Sequence, residues 1–189
     1  MDAITLLRND HKTVEGLFKK FEKAGPSAVK TKQQLVKKII EEQAVHAAIE
    51  EQVFYPAVRA GVEDAESTVL ESLEEHHVVK WTLAELEGMT ESDERFTAKV
   101  TVLMESVRHH VEEEESEMFP EVRESIGRKR LADIGASLEK AKQTAPTRPE
   151  PRKPDEPPGN LMGTPASIDL RTNGGRAAAK PGKRSAARA

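Results

Sequence analysis

Four helical stripes, each mainly apolar and each interrupted by one histidine, dominate residues 2 to 143. The first runs Ile4, Leu7, His11, Val14, Phe18, Phe21. The second runs Leu35, Ile39, Gln43, His46, Ile49, Glu50, Val53. The third aligns Val69, Leu73, His76, Val79, Leu83 and Leu86, and the fourth Phe96, Val100, Leu103, Val107, His110 and Glu114. A chain patterned at this period must bury the stripes against one another. Breakers set the expected bounds. Helix one covers about 2–24 and stops at Gly25–Pro26. Helix two runs from about Ser27, or a little later, to Ala60, with Pro56 bending or interrupting its last turns. Helix three spans about 64–88, from an Asp64 cap to Gly88. Helix four starts near Thr90 or Ser92 and ends about Ser125. A shorter amphipathic segment, 128–143, is left to pack on the outside. Long helices joined by short loops pack as antiparallel neighbours. The predicted fold class is therefore all-α: an up-down-up-down antiparallel four-helix bundle with a disordered C-terminal tail.

The two halves repeat. "DHKTVEGLFKKF" aligns with "EHHVVKWTLAEL", placing His11 on His76 and Val14 on Val79. "HAAIEEQVFYP" aligns with "HVEEEESEMFP", placing His46 on His110 and Glu50 on Glu114. Each hairpin thus supplies one histidine from its first helix and a His-x-x-x-Glu pair from its second. Residues four apart share a helix face, with Cβ atoms about 5–6 Å apart, so each pair can reach one centre. Two buried carboxylates would cost several kcal/mol without partners, on the order of what removing any ion from water costs. No lysine or arginine lies on these stripes. Bound cations would neutralise the carboxylates and hold the imidazoles neutral as ligands. Four histidines and two carboxylates exceed what one tetrahedral zinc needs. They suit two metals bridged by the carboxylates, and mixed nitrogen and oxygen donors fit iron, and also manganese or zinc.

Composition narrows the rest. There is no cysteine, which excludes disulfides, thiolate metal sites and cysteine catalysis, and makes a reducing cytoplasm the expected compartment. "MDAITLLRNDHK" has no apolar signal region, and no run is long enough to span a membrane. Of the 11 prolines, 8 lie between Pro146 and Pro181. Residues 144–189 carry nine Lys/Arg against four Asp/Glu, a net of +5; the whole chain has 29 and 33, leaving the body 20 against 29, a net of −9. We therefore divide the chain into a helical domain at 1–143, with its core at 2–125, and a disordered Pro/Ala/Arg/Lys-rich basic tail at 144–189. The tail's basic end can meet an acidic partner, nucleic acid or the acidic body; a solubilising role is the plainer reading. There is no phosphate-binding glycine loop, nucleophile elbow or dinucleotide strand pattern.

The set His11, His46-x-x-x-Glu50, His76, His110-x-x-x-Glu114, with the phrases "EEHHVVK" and "HHVEEEESEMFP", resembles the hemerythrin-like (HHE cation-binding) domain over roughly residues 2–125. The resemblance implies two iron ions in a non-heme, oxo- or hydroxo-bridged centre, with Glu50 and Glu114 bridging and the histidines terminal. It also implies reactivity toward dioxygen, hydrogen peroxide or nitric oxide. The expected function is reaction with peroxide or dioxygen, catalase-like or in oxidative stress. The alternative is oxygen or nitric oxide sensing, or iron sequestration, without turnover. Oxygen-carrying hemerythrins bring five histidines, two of them one turn apart on the third helix. Here the positions four after and four before His76 are Lys80 and Ser72. That departure argues against simple reversible oxygen carriage, and leaves water, Tyr55 or His77 to fill the fifth place. His77 and His109 point about 100° from their inner neighbours and read as surface or supporting residues. Glu51 and Glu115 read as outward-facing, and Trp81 and Met118 as packing.

Overall fold

Asp2 starts the first helix. Its carboxylate accepts the Thr5 backbone N–H at 2.9 Å, capping α1 (Ala3–Lys23) in the computed structural model, which describes residues 1–151. After the Gly25–Pro26 break, α2 (Val29–Ile49) passes into a π-helical turn, π1 (Glu50–Phe54), and then into α3 (Tyr55–Gly61). The second hairpin repeats this course: α4 (Glu66–Glu87), α5 (Phe96–Glu113), a second π turn, π2 (Glu114–Met118), and α6 (Phe119–Ser125). α7 (Arg128–Lys142) follows. The described residues form helices joined by short connections, with no strand among them, and α1, α2–α3, α4 and α5–α6 form the expected antiparallel four-rod bundle.

Each π turn ends two residues before a proline. Pro56 and Pro120 have no N–H to donate, and their rings would strike the carbonyl four residues back. The widened turn carries the strain: the N–H of Tyr55 bonds the carbonyl of Glu50, and that of Phe119 bonds Glu114. The bend expected at Pro56 is thus a π turn, and a second one occurs at Pro120.

Two helix starts differ from expectation. Asp64 does not cap α4; it sits in the left-handed region at φ 56, where a short polar side chain is tolerated, and α4 begins at Glu66. Thr90 and Ser92 do not start α5. Thr90 donates its backbone N–H and its hydroxyl to Asp93 Oδ2 at 2.7 and 3.0 Å, forming a local turn that competes with helix, and α5 begins at Phe96.

Two apolar clusters fill the bundle. One gathers Ile4, Leu7, Ile49, Phe54, Val69, Leu73, Phe119 and Val122. The other gathers Val14, Phe18, Phe21, Ile39, Leu83, Phe96, Val100 and Leu103. Each fully buried side chain of this size contributes about 1.5–3 kcal/mol relative to exposure. Between the clusters lies a polar band at the height of His11, one turn from Leu7 and from Val14. α7 does more than lie outside. Its Leu131, Ile134 and Leu138 belong to the first cluster and close that end of the bundle. Gly135 makes the approach possible, since a Cβ there would stand 2.9 Å from the Ala3 nitrogen in α1. Past α7, Ala145 packs on the same cluster and Arg148 Nε donates to Glu87 Oε1 at 2.6 Å. The remainder of the expected disordered tail, 152–189, lies outside the described residues. No helix among the described residues is long and apolar enough to cross a membrane.

Candidate metal centre

All six inward donors expected from the stripes meet in the polar band. His11, His46, Glu50, His76, His110 and Glu114 are all buried, with Glu50 0% and Glu114 1% exposed. The histidines pair within each hairpin: His11 Nε2 is 3.2 Å from His46 Nε2, and His76 Nε2 is 3.1 Å from His110 Nε2. Each carboxylate spans one histidine of either pair. Glu50 Oε2 lies 3.2 Å from His46 and 3.4 Å from His76. Glu114 Oε2 lies 3.3 Å from His11 and 3.7 Å from His110. Two groups here can hold a metal ion: His11, His46, Glu50 and Glu114 form one, and Glu50, His76 and His110 the other.

The outer edges of the rings explain why the inner edges converge. His11 Nδ1 donates to Glu115 Oε1 at 2.9 Å, His76 Nδ1 to Glu51 Oε1 at 3.0 Å, and His110 Nδ1 to Glu75 Oε2 at 2.7 Å. His46 Nδ1 faces Asp10 Oδ2 at 3.8 Å, a charge contact too long for a hydrogen bond. A carboxylate behind a histidine fixes its tautomer and leaves Nε2 with a free lone pair. With both glutamates ionised, the Nε2 lone pairs and carboxylate oxygens then face one another. The Tyr55 hydroxyl is the donor that reaches this space: it donates to Glu114 Oε1 at 3.0 Å and stands 3.3 Å from His76 Nε2. Both oxygens of Glu50 and Oε2 of Glu114 are buried without a hydrogen-bond donor. Such a set fits a bound cation, which supplies what the missing protons do not.

The electrostatics agree. Burial raises the Glu50 carboxyl well above the carboxylate range, and the facing Glu114 adds to it. Burial acts the same way on Glu114, but the imidazoles of His110, His11 and His46 outweigh it and hold that carboxyl low. Burial pushes His46 down to about 4 and lowers His76 as well. For His110, burial is outweighed by the charges of Glu114 and Glu75, which raise it. Burial keeps the Tyr55 hydroxyl protonated well above its ordinary range.

The outer carboxylates are what the sequence reading missed. Glu51 and Glu115, read as outward, turn to the rings of the other hairpin; Asp10 and Glu75 precede the first-helix histidines. The half-repeat held the signal, because each of these positions is acidic in both copies. Lys80, standing one turn after His76, pairs with Glu51 Oε1 at 3.1 Å, so the position of the missing histidine carries a cation on the outer carboxylate. α7 reaches the same shell through Lys142, 2.5 Å from Asp10.

Tyr55 enters the site through π1. In an α-helix a residue five after Glu50 would stand about 140° away; the wider turn aligns the two. The equivalent residue in the second half, Phe119, stacks on His11 with ring centroids 5.8 Å apart. The pseudo-symmetric site therefore carries a hydroxyl on one side only. His77 does not reach the centre: it accepts the Trp81 indole N–H at 3.0 Å on the outer face of α4. Trp81 is correspondingly half exposed instead of packed, whereas Met118 is buried. His109 is exposed beside Glu113 at 3.3 Å.

Fold and site together define a helical bundle with a buried histidine–glutamate cluster able to hold metal. The chain belongs to the Hemerythrin HHE cation binding domain family, whose profile matches residues 2–122. It is 26% identical over 150 residues to an uncharacterized hemerythrin-like protein of Schizosaccharomyces pombe, covering 79% of this chain and 73% of that one. It is 27% identical over 143 residues to a DNA nickase of Nostoc, covering 75% of this chain but only 39% of the nickase. A crystal structure of a hemerythrin HHE cation binding domain-containing protein from Mycobacterium kansasii superposes with a TM-score of 0.64 at 23% identity, over 76% of this chain and 89% of that one. At that identity the likeness is one of fold.

Proposed function

We propose that the chain is a non-heme di-iron protein that reacts with hydrogen peroxide or dioxygen in the cytoplasm. The observation that carries this is the convergence of four Nε2 atoms and two carboxylates with one hydroxyl proton among them. His11 and His46 would hold one ion, His76 and His110 the other, and Glu50 and Glu114 would bridge. Nitrogen and oxygen donors without thiolate suit iron, and peroxide or dioxygen needs a redox-active metal. Iron bound there would supply the electrons for reduction of the substrate.

The chain's own residues set the conditions. Phe119 stacks on His11, and all six donors are nearly inaccessible, so only small molecules suit the site. The four outer carboxylates orient the rings. Tyr55 holds a proton at its hydroxyl beside both Glu114 and His76, poised to donate a hydrogen bond to an oxygen species. The absence of cysteine suits a reducing compartment.

Metal analysis of the iron-loaded full chain is expected to give two ions per chain, with peroxide consumption that is lost in His46→Ala. Equal rates in the loaded protein and the His46→Ala variant would overturn the reaction. An optical band that cycles reversibly with oxygen or nitric oxide, without turnover, would favour sensing instead.

A further inference from the structure

A narrow cleft of about 60 Å³ opens between α4 and the α5–π2 rod. Its lining grades from exposed Glu71 and Glu117, through half-buried Thr68 and Glu113, to buried Ser72, Met118 and Glu114. Of the six inward donors, only Glu114 lines it, and Glu114 Oε2 is a buried oxygen without a hydrogen-bond donor. Three further carboxylates and no lysine or arginine line the cleft. Ser72 stands one turn before His76, and its small side chain turns back to bond the Thr68 carbonyl at 3.0 Å, leaving room beside Glu114. Glu113 also lies 3.3 Å from the exposed imidazole of His109, which stands beside the cleft outside its lining, and Glu75 is 3.8 Å from the same nitrogen.

We infer that this cleft is the port through which divalent cations reach the buried centre, an inference that rests on the cation-binding reading above. A path lined by one sign of charge concentrates the opposite ion and raises its rate of entry. Glu71, Glu117 and Glu113 draw the ion in. Glu113 exchanges for part of its hydration, and Glu114 receives it at the inner end. Neutral dioxygen and peroxide are indifferent to the same field, so the charge on this route serves the metal and not the small-molecule substrate.

The test is stopped-flow uptake of ferrous or cobaltous ion by the full chain after chelation. The triple variant Glu71→Gln, Glu113→Gln, Glu117→Gln is expected to load about ten-fold more slowly at low ionic strength. It should reach the same final stoichiometry, and its rate should barely change with salt. The unaltered chain should slow as salt rises. Ser72→Phe, which keeps every charge but fills the cleft, should also load slowly. Glu41→Gln, Glu94→Gln, Glu105→Gln, whose positions do not line the cleft, should load at the unaltered rate. Equal rates in all proteins, or equal slowing in both triple variants, would overturn the port. No uptake by the unaltered chain would overturn the metal centre itself, and the port with it.

Discussion

The Tyr55 hydroxyl donates to Glu114 Oε1 at 3.0 Å, while the matching residue of the other half, Phe119, has no hydroxyl to offer Glu50. Tyr55→Phe makes the two sides chemically alike. The variant should still bind two ions, because Tyr55 is not among the six donors. Its peroxide consumption should fall about ten-fold or more, within the range that loss of one aimed donor causes. Steady-state peroxide assays beside metal analysis check this; unchanged turnover would remove Tyr55 from the reaction.

Glu50 has no hydrogen-bond donor on either oxygen, and burial with the facing Glu114 holds its carboxyl high. In the metal-free protein it is a cost. Glu50→Met should raise metal-free stability by about 1–3 kcal/mol, the cost of a buried polar group left without a hydrogen-bond partner. The same change should abolish binding of both ions, since both candidate groups use Glu50. Urea unfolding with and without iron reads both effects.

Glu115 reaches His11 from the opposite hairpin, and Arg8 Nε lies 3.4 Å from Glu115 Oε2. Glu115→Ala should weaken metal binding by about 10–100-fold, the usual effect of removing the group behind a ligand histidine. Glu115→Gln keeps an acceptor for the His11 Nδ1–H and should retain most of the affinity. Competition titration with a chelator separates the two variants.

Acid should empty the site and loosen the bundle. The folded pKa of His46 is lowered to about 4 from 6.5, so the unfolded chain binds more protons between those values. Stability from this group is present above about pH 6.5 and is lost as pH falls toward 4. Burial opposes the low pKa values of Glu51, Glu75 and Asp10, but their histidine and lysine partners win. Their contribution is present above the ordinary carboxylate range and disappears below it. Glu50 runs the other way: its raised carboxyl costs metal-free stability as pH rises above 4.5. Metal content after dialysis should therefore be full at pH 7 and largely gone near pH 4, because protons compete for every ligand. Full retention there would count against this ligand set.

Two helical glycines should respond with opposite signs. Gly16, with nothing within 4 Å of an added Cβ, should tolerate alanine and gain up to about 1 kcal/mol. Gly135→Ala would drive a methyl group against the start of α1 and should cost about 1–3 kcal/mol. Thermal unfolding of the pair tests whether α7 is docked on α1.

The six inward donors were legible in the sequence because an α-helix fixes which residues share a face. Repetition of the pattern in two hairpins left little room for accident. Tyr55 was less legible because π1 breaks the α-helical phase on which such reading depends. The starts of α4 and α5 were obscured by Asp64, Thr90 and Ser92, whose short polar side chains serve turns as readily as caps.

What the sequence determined by itself was periodic: four stripes, the bundle they require, and the histidines and glutamates facing its axis. Tertiary structure alone decided which carboxylate stands behind which ring, how Lys80 and Lys142 join that shell, and that a cleft leads to Glu114. These are contacts between helices far apart in sequence. Helical phase sets which way a side chain points, but only the packing of neighbouring rods sets what it meets.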